Sequence, residues 1–306
     1  MSPSAPPASA AAPPDLRHDF HALGGPCRLT LEEPAPPGAV EAAVREVQRI
    51  EAKYSRYRAD SVLSRLNAAA GAPDAVAVDD ETAGLLDFAA QAHAASGGLF
   101  DITTGVLRRA WDFRVPRLPA AEELARWQVL VGWARVAWQR PLLQLPQAGM
   151  ELDFGGIGKE YAADRAAAVL AAHGVQAALV NLGGDIRALG LRRDGQPWRL
   201  GIAHPRQPGA MLAELSLHTG ALATSGDYER FIEVDGRRYC HVLHPHTGWP
   251  VEHWQSVSVV APACLAAGTA ATIAMLLGAQ APAFLQAEGL RFLLVDAEGR
   301  LQRSGG

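Results

Sequence analysis

The sequence predicts a single integrated α+β domain, and three observations lead to that prediction. Helical patterns are clear between about residues 40 and 98 and again at 160–172. Strand patterns dominate most of the chain after residue 175. No linker rich in Pro, Gly or Ser divides the body of the chain, and no internal repeat recurs at a fixed period. Helices and strands therefore belong to one folded unit.

The beginning of the chain differs in composition from the rest. The first fourteen residues, MSPSAPPASAAAPP, carry five prolines, neither Lys nor Arg, and no run of large apolar side chains. A secretory signal needs a basic start and an apolar stretch, so this segment is predicted to be a disordered tail. We place the tail at residues 1–17 and the folded domain at residues 18–306. No later stretch of about 18 residues is apolar enough to span a bilayer, and a cytoplasmic protein is expected.

Predicted elements of the first half rest on periodicity and on capping residues. After the Pro-Pro-Gly turn at 36–38, apolar residues recur at helical spacing on one face. Asp and Ser residues precede the next two helical stretches as candidate caps. The elements are, in order, a strand at 27–31, a helix carrying Val40, Val44, Val47, Ile50 and Tyr54, a helix from Asp60 or Ser61 to about Asn67, and a helix that follows Asp79 and Asp80 and ends at Gly97 and Gly98.

In the second half, short apolar runs separated by turn residues predict mainly strands. VAW and LLQL, divided by Arg-Pro, indicate a hairpin. An alanine-rich helix at 160–172 ends at His173-Gly174. The later elements are strands at ALVNL, WRLGIA, ALAT, RFIEV, YCHVL and SVSVV, then a helix from about Leu265 to Leu277, a final helix and the strand RFLLV.

Composition narrows the choice of partners. A net charge of -4 gives no electrostatic reason to expect nucleic acid or an anionic membrane surface. Cys27, Cys240 and Cys264 show neither a CxxC pair nor a regular disulfide spacing, which favours free thiols in a reducing compartment. Small molecules and other proteins are therefore the expected partners.

A glycine-rich approach to a helix is the first candidate site. In LDFGGIGKEYAADRAAAVL, residues 152–170, glycines allow close approach of the backbone, helix-start N–H groups favour anions, and Lys159 adds a positive charge. The segment matches neither GxGxxG nor the Walker pattern, so spacing alone names no nucleotide. It predicts a phosphate cradle, or else a turn that only permits close helix packing.

Two further segments carry polar residues that suit a site. Asp185, in NLGGDIRALG, could accept a hydrogen bond from a ribose or base, or only cap its turn. His241, His244 and His246 lie beside Cys240 and suggest zinc, but neighbours on a strand point to opposite faces and the spacing fits no usual zinc pattern. A single histidine acting as acid or base is preferred.

Taken together and in order, these segments resemble the FAD:protein FMN transferases, also called the ApbE family. The similarity runs from about residue 20 to residue 295. It includes YSRYRADSVLSRLN, SGGLFDITTGVLRRAWDF, LDFGGIGKEYAADRAA, ALVNLGGDIRALG, TSGDYERF, HVLHPHTGWPV and CLAAGTAATIAMLLG. The resemblance implies an ApbE-like fold related to the T-fold, with mixed sheets and flanking helices.

The resemblance also implies an activity and its participants. The family binds FAD and transfers the FMN half to a threonine hydroxyl of a target flavoprotein, releasing AMP, with a divalent metal that is usually Mg²⁺. Attack on the phosphate next to riboflavin requires neutralisation of charge on a pyrophosphate. Alternatives are a flavin-binding protein without catalysis and an FAD pyrophosphate hydrolase that uses water as acceptor.

Residue roles follow from the matched positions. His241 is the expected base for the acceptor hydroxyl, and Lys159 serves both catalysis and phosphate binding. The implied metal ligands are the carbonyl oxygen of Gly158 and the hydroxyl of Thr272. The residues implied in cofactor binding are Tyr57, Ser61, Lys159, Asp185, Thr224, Ser225 and Gly226.

This sequence departs from the family pattern at three positions. Gly268 stands where the family has the metal-binding Asp, four residues before Thr272. Glu160 replaces the glycine that usually follows the lysine, and His244 replaces the Asp before proline. Because carboxylates are preferred ligands of Mg²⁺, the loss at 268 should weaken metal binding. Glu160 is a candidate replacement because it lies near Gly158 in sequence.

Overall fold

The computed structural model describes residues 15–32 and 35–305, and the predicted tail lies mostly outside this part of the chain. An eight-stranded sheet forms the centre, in the order β1-β2-β6-β7-β10-β13-β14-β15. Its strands are β1 (Leu16–Ala22), β2 (Gly25–Leu31), β6 (Ala178–Leu182), β7 (Asp185–Leu189), β10 (Gly220–Gly226), β13 (Trp254–Ala261), β14 (Arg291–Asp296) and β15 (Leu301–Arg303). All strand pairs found in the described residues are antiparallel.

Three small sheets are built from hairpins inserted between the central strands. They are β3 (Val76–Ala77) with β5 (Leu142–Gln144) and β4 (Ala137–Gln139), β8 (Trp198–Ala203) with β9 (Met211–Leu217), and β11 (Phe231–Val234) with β12 (Arg237–Cys240). The VAW and LLQL hairpin is therefore confirmed as β4 and β5. The sheets are antiparallel where mixed sheets were expected, but the α+β class is confirmed.

The helices form where apolar spacing and caps predicted them. Ser61 and Asp79 each accept a hydrogen bond from a backbone N–H of the first helical turn, Ser64 N at 2.9 Å and Thr82 N at 2.9 Å. The helices are α1 (Ala39–Tyr54), α2 (Val62–Ala68), α3 (Asp80–Ala95), α4 (Ala121–Gln128), α5 (Gly158–Ala172), α6 (Cys264–Leu277) and α7 (Ala281–Ala287), with short 3-10 turns at Ile102–Arg109, Trp133–Arg135 and Gly278–Gln280.

Two helices position the candidate site. α5 lies on β6 and β7 and packs against α1 and α6, while α6 lies on β10 and β13. The alanines of α5 that face inward are fully or nearly fully buried, which lets the helices approach closely. The start of α5 is thereby held beside the turn between β6 and β7 and the end of β10.

One apolar segment of the described residues resembles a membrane span in length and composition. It covers Cys264–Ala287, and 61% of its most apolar window is buried inside the protein. A 3-10 turn at Gly278–Gln280 interrupts it, and its first helix packs on the central sheet. The segment is therefore accounted for as core of the domain.

Sequence patterns located the elements well but missed some strands and misplaced one strand end. β1 begins at Leu16, two residues before the predicted domain boundary, and its sequence Leu-Arg-His-Asp-Phe-His-Ala is largely polar because it is an edge strand with exposed side chains. YCHVL was predicted as one strand, but β12 ends at Cys240. His241 therefore lies in the following loop, where its backbone N–H bonds the Arg230 carbonyl at 3.0 Å.

Candidate functional site

Three consecutive residues at the start of α5 point to three different parts of the molecule. Lys159 forms an ion pair with Asp185 of β7, Glu160 lies against Gly268 of α6, and Tyr161 donates a hydrogen bond to Glu81 of α3 at 2.9 Å. Successive helical residues differ in direction by about 100°, so one helix start serves three surfaces. The candidate site comprises the first two of these contacts.

Asp185 anchors the lysine from a glycine turn. Gly183 and Gly184 have φ values of 60° and 99°, a conformation that favours glycine, and they reverse the chain between β6 and β7. The Asp185 carboxylate is 2% exposed, and it also accepts the backbone N–H of Thr224 at 3.2 Å. The structure thus joins Lys159, Asp185 and Thr224 on three elements that are distant in sequence.

The end of β10 brings two further predicted residues to the same region. Ser225 and Thr272 share a hydrogen bond of 3.2 Å between their hydroxyls, and Thr224 shares one of 2.8 Å with Ser258 of β13. At Gly226 an added Cβ would stand 2.8 Å from Cδ1 of Tyr228 and closer still to Cε1, so only glycine fits unless that ring moves. Ser225, predicted to bind the flavin, and Thr272, predicted to bind the metal, are therefore in direct contact.

His241 is held in the form that a general base requires. Its Nδ1 lies 3.2 Å from the Arg230 carbonyl oxygen, and because a carbonyl only accepts, Nδ1 carries the proton. Burial, followed by the positive charges of Arg230, Lys159 and Arg56, lowers the pKa of His241 to about 4. The ring is neutral at pH 7, and Nε2 has a free lone pair.

Tyr57 and Ser61 occupy very different surroundings. The Tyr57 ring is 77% exposed, and the Arg56 guanidinium lies 5.1 Å from its centroid. Ser61 is buried, and its hydroxyl accepts a hydrogen bond as the cap of α2. Tyr57 can offer a ring face to a planar ligand, whereas the Ser61 oxygen is already used to start a helix. Both assignments to cofactor binding stay predictions.

The implied metal ligands lie on facing helices. Gly158 is the first residue of α5, and Thr272 follows Gly268 by one turn of α6. No group of three or more His, Cys, Asp or Glu side chains converges as a metal site among residues 15–32 and 35–305. One buried carboxylate oxygen, Oε2 of Glu160, has no hydrogen-bond partner there. Carboxylate, hydroxyl and carbonyl oxygens together suit a hard cation such as Mg²⁺.

Sequence patterns missed several charged groups near the site. Arg56 forms an ion pair with Asp153, and the same carboxylate accepts the Gly155 N–H at 2.9 Å and so orders the glycine turn before α5. Arg230 supplies the carbonyl that orients His241. Arg56, Asp153 and Arg230 all lie within the segments that carry the family resemblance, but no spacing rule indicates their partners.

These features define a class of protein: an antiparallel α+β domain whose lysine, at a helix start between two glycine turns, suits a phosphorylated ligand. The family model for the ApbE family matches residues 23–294. The chain belongs to the ApbE family. The resemblance drawn from the motifs is therefore confirmed.

Curated relatives and solved structures agree with this assignment. The chain is 35% identical over 309 residues to the FAD:protein FMN transferase of Treponema pallidum, covering 93% of this chain and 85% of the relative. It is 34% identical to the FAD:protein FMN transferase of Salmonella typhimurium, over 80% of this chain and 73% of that relative. The ApbE protein of Thermotoga maritima superposes with a TM-score of 0.88 at 30% identity, covering 95% and 97%. The flavin transferase ApbE of Vibrio cholerae superposes with a TM-score of 0.85 at 27% identity, over 95% of this chain and 96% of that structure.

Proposed function

We propose that this protein is an FAD:protein FMN transferase that moves FMN from FAD to an acceptor flavoprotein and releases AMP. The observation that carries the proposal is the Lys159–Asp185 ion pair at the glycine-rich start of α5, with a neutral His241 close enough for the Lys159 charge to help lower its pKa. The names of the curated relatives support the same activity.

The reaction forms one bond to phosphorus and breaks another. The acceptor hydroxyl oxygen attacks the phosphate next to riboflavin, and the bond from that phosphorus to the oxygen of AMP breaks, so AMP leaves with the electron pair. The hydroxyl proton goes to Nε2 of His241, which is free because Nδ1 donates to the Arg230 carbonyl. The Lys159 ammonium and the N–H groups at the start of α5 stabilise the charge on the phosphates.

Asp185 positions the lysine in this scheme. Its carboxylate holds the ammonium from one side and the Thr224 N–H from another, so that Lys159 is fixed between the glycine turns. Tyr57 offers an exposed ring face for the flavin. Thr224, Ser225 and Gly226 border the same region at the end of β10.

Mg²⁺ is the metal we propose, held by the Gly158 carbonyl and the Thr272 hydroxyl with water and phosphate oxygens. When bound, it neutralises charge on the pyrophosphate. The partner is proposed to be a flavoprotein with a target threonine. We also propose that the protein acts in the cytoplasm, because Cys27, Cys240 and Cys264 are buried free thiols. Cell fractionation with an antibody would test the location.

The test is to incubate the purified protein with FAD, Mg²⁺ and a candidate FMN-acceptor domain, to weigh the acceptor by intact-mass spectrometry and to assay AMP. An FMN-sized mass gain is expected, and His241→Ala should slow it by about 10² or more. A matched acceptor whose target threonine is replaced by valine should gain no mass.

Two other outcomes would favour different functions. Gly268, which removes a carboxylate from α6, favours a flavin-binding protein without catalysis, and retained FAD with no AMP would indicate that function. AMP release without any acceptor would indicate FAD pyrophosphate hydrolysis.

A further inference from the structure

Glu160 and Gly268 fit together as a pair across the contact between α5 and α6. Glu160 is only 6% exposed. A Cβ added at position 268 would stand 2.8 Å from Oε1 of Glu160 and 3.0 Å from its Cδ, which is closer than real Cβ contacts allow. A side chain at 268 and the observed Glu160 side chain therefore exclude each other. The glutamate occupies the place that a side chain from α6 would take.

This buried carboxylate is incompletely satisfied. Oε2 of Glu160 has no hydrogen-bond partner, and in the described part of the chain Glu160 forms no salt bridge. The neighbouring Lys159 ammonium is directed to Asp185 instead. Burying a carboxylate without partners is costly, and such groups in native proteins are nearly always paired or bound to an ion. Among the described residues nothing satisfies this oxygen, and an ion would do so.

A second unsatisfied oxygen lies next to Gly268. The hydroxyl of Thr269 is buried and also lacks a hydrogen-bond partner among the described residues. Among residues 15–32 and 35–305, the hydroxyl of Thr272 hydrogen-bonds the hydroxyl of Ser225 alone. Because Thr272 follows Gly268 by one helical turn, it lies on the face of α6 that meets Glu160, so α6 offers a hydroxyl and α5 a carboxylate. That combination of donors is typical of a hard divalent cation.

We propose that Glu160 is the carboxylate ligand of a divalent cation bound between α5 and α6, with its carboxylate delivered from α5 because position 268 of α6 carries none. The longer glutamate side chain reaches across the helix contact to lie over the Cα of Gly268. The role of this cation in catalysis rests on the proposed transfer, but its binding does not.

The first test measures Mn²⁺ binding by electron paramagnetic resonance of free Mn²⁺, with and without FAD. Glu160→Gln is expected to weaken binding by at least about tenfold, the scale of losses around metal sites. Glu229→Gln, at a more exposed acid, is the control for a general loss of negative charge. Glu229 is a second acid whose pKa is raised by desolvation and also by the Glu160 charge, so it shares the local field. Equal losses in both variants, or none in Glu160→Gln, would overturn the proposal.

Thermal unfolding supplies a readout that does not depend on activity. Without a cation, Glu160→Gln should melt at the same temperature as the parent or higher, because it removes an unpaired buried charge. Mn²⁺ should raise the melting temperature of the parent only, since ligands stabilise the state they bind. A glutamine variant that melts lower without cation, and still responds to Mn²⁺, would show that Glu160 only fills space.

A swap of the two residues tests the geometry itself. Gly268→Asp alone should be destabilised, because its Cβ meets Glu160. The double variant Glu160→Gly with Gly268→Asp should recover stability and Mn²⁺ binding. If the double variant binds Mn²⁺ no better than Glu160→Gly alone, the proposal fails. If Mn²⁺ binds as expected but no acceptor is modified, the transferase proposal fails and the cation site stands.

Discussion

Two clusters of charged residues meet the same turn of α5 and differ in how completely they are satisfied. On the α1 and α3 side, Glu81 accepts hydrogen bonds from Arg49 at 2.6 Å, Lys53 at 2.7 Å and the Tyr161 hydroxyl at 2.9 Å. Lys53 also bonds Asp79 at 2.9 Å. We call these five residues the clamp cluster. Each of its charges has a partner of opposite sign within the chain.

On the other side lie Lys159, Asp185 and Glu160, and together with His241 from the loop after β12 we call them the site cluster. Here one carboxylate oxygen has no partner, and a histidine is kept neutral with one nitrogen free. The comparison teaches that unsatisfied polar groups, rather than charge itself, separate a binding site from a structural clamp. Substitutions in the site cluster should mainly lower the rate of FMN transfer, and substitutions in the clamp cluster should mainly lower the free energy of unfolding.

Replacement of Lys159 by methionine should have the largest effect. The rate of FMN transfer should fall by about 10² to 10³, as when a charge-stabilising donor is lost. Stability should fall as well, by about 3 kcal/mol, because the buried Asp185 loses its counter-charge and keeps only the Thr224 N–H. The measurements are intact-mass kinetics and urea denaturation. The double variant Lys159→Met with Asp185→Asn should regain most stability and no activity, and normal transfer by it would contradict the role of Lys159.

The pH dependence of transfer should report the lowered pKa of His241. Because that pKa is about 4, the His241 ring stays unprotonated as the pH is lowered from about 8 to about 5. The rate should therefore hold until about pH 5 and fall below it, whereas an ordinary histidine would give a break near about 6.5. In His241→Ala the rate should drop by about 10² or more and the acid limb should disappear. A break near neutrality in the parent would show that the ring is not held neutral.

Glu81→Gln should lower stability without changing the transfer rate, because Glu81 belongs to the clamp cluster and not to the site cluster. The bond from Arg49, with those from Lys53 and Tyr161, lowers the pKa of Glu81 to about 2. A lowered carboxyl pKa stabilises the fold above the unfolded value of 4.5, and this contribution is lost as the pH falls towards 2. The variant should lose about 1 to 2 kcal/mol at pH 7, allowing for solvent screening. The gap from the parent should narrow between pH 4.5 and pH 2 in urea denaturation.

The control for that experiment is the transfer rate of the folded variant, which should match the parent. A large loss of activity in Glu81→Gln at full folding would show that the two clusters are coupled through α5.

Tyr161→Phe should have the smallest effect. It removes one hydrogen bond to Glu81, while the ring still packs against the hydrophobic core. The expected loss is about 1 kcal/mol in the free energy of unfolding, with unchanged FAD affinity. Calorimetry and FAD titration check both. A change in FAD affinity would instead show that the hydroxyl helps to place Lys159.

The sequence by itself determined the fold class, most of the elements and the family. Periodicity marked α1, caps marked α2 and α3, and the ordered motifs indicated an ApbE relative before any contact was known. These signals are local, because helical spacing, capping residues and glycine turns act over a few neighbouring residues. The individual roles of Tyr57 and Ser61 in flavin binding stay predictions.

Only the tertiary structure decided which polar groups meet. Lys159 and Asp185 are 26 residues apart, and the approach of Glu160 to Gly268 depends on how α5 and α6 pack. The sequence suggested Glu160 only through its nearness to Gly158 along the chain. The shift in the pKa of His241 depends on burial and on charges from Arg56, Lys159 and Arg230. Long-range pairing is set by packing of the whole core, which no local pattern encodes.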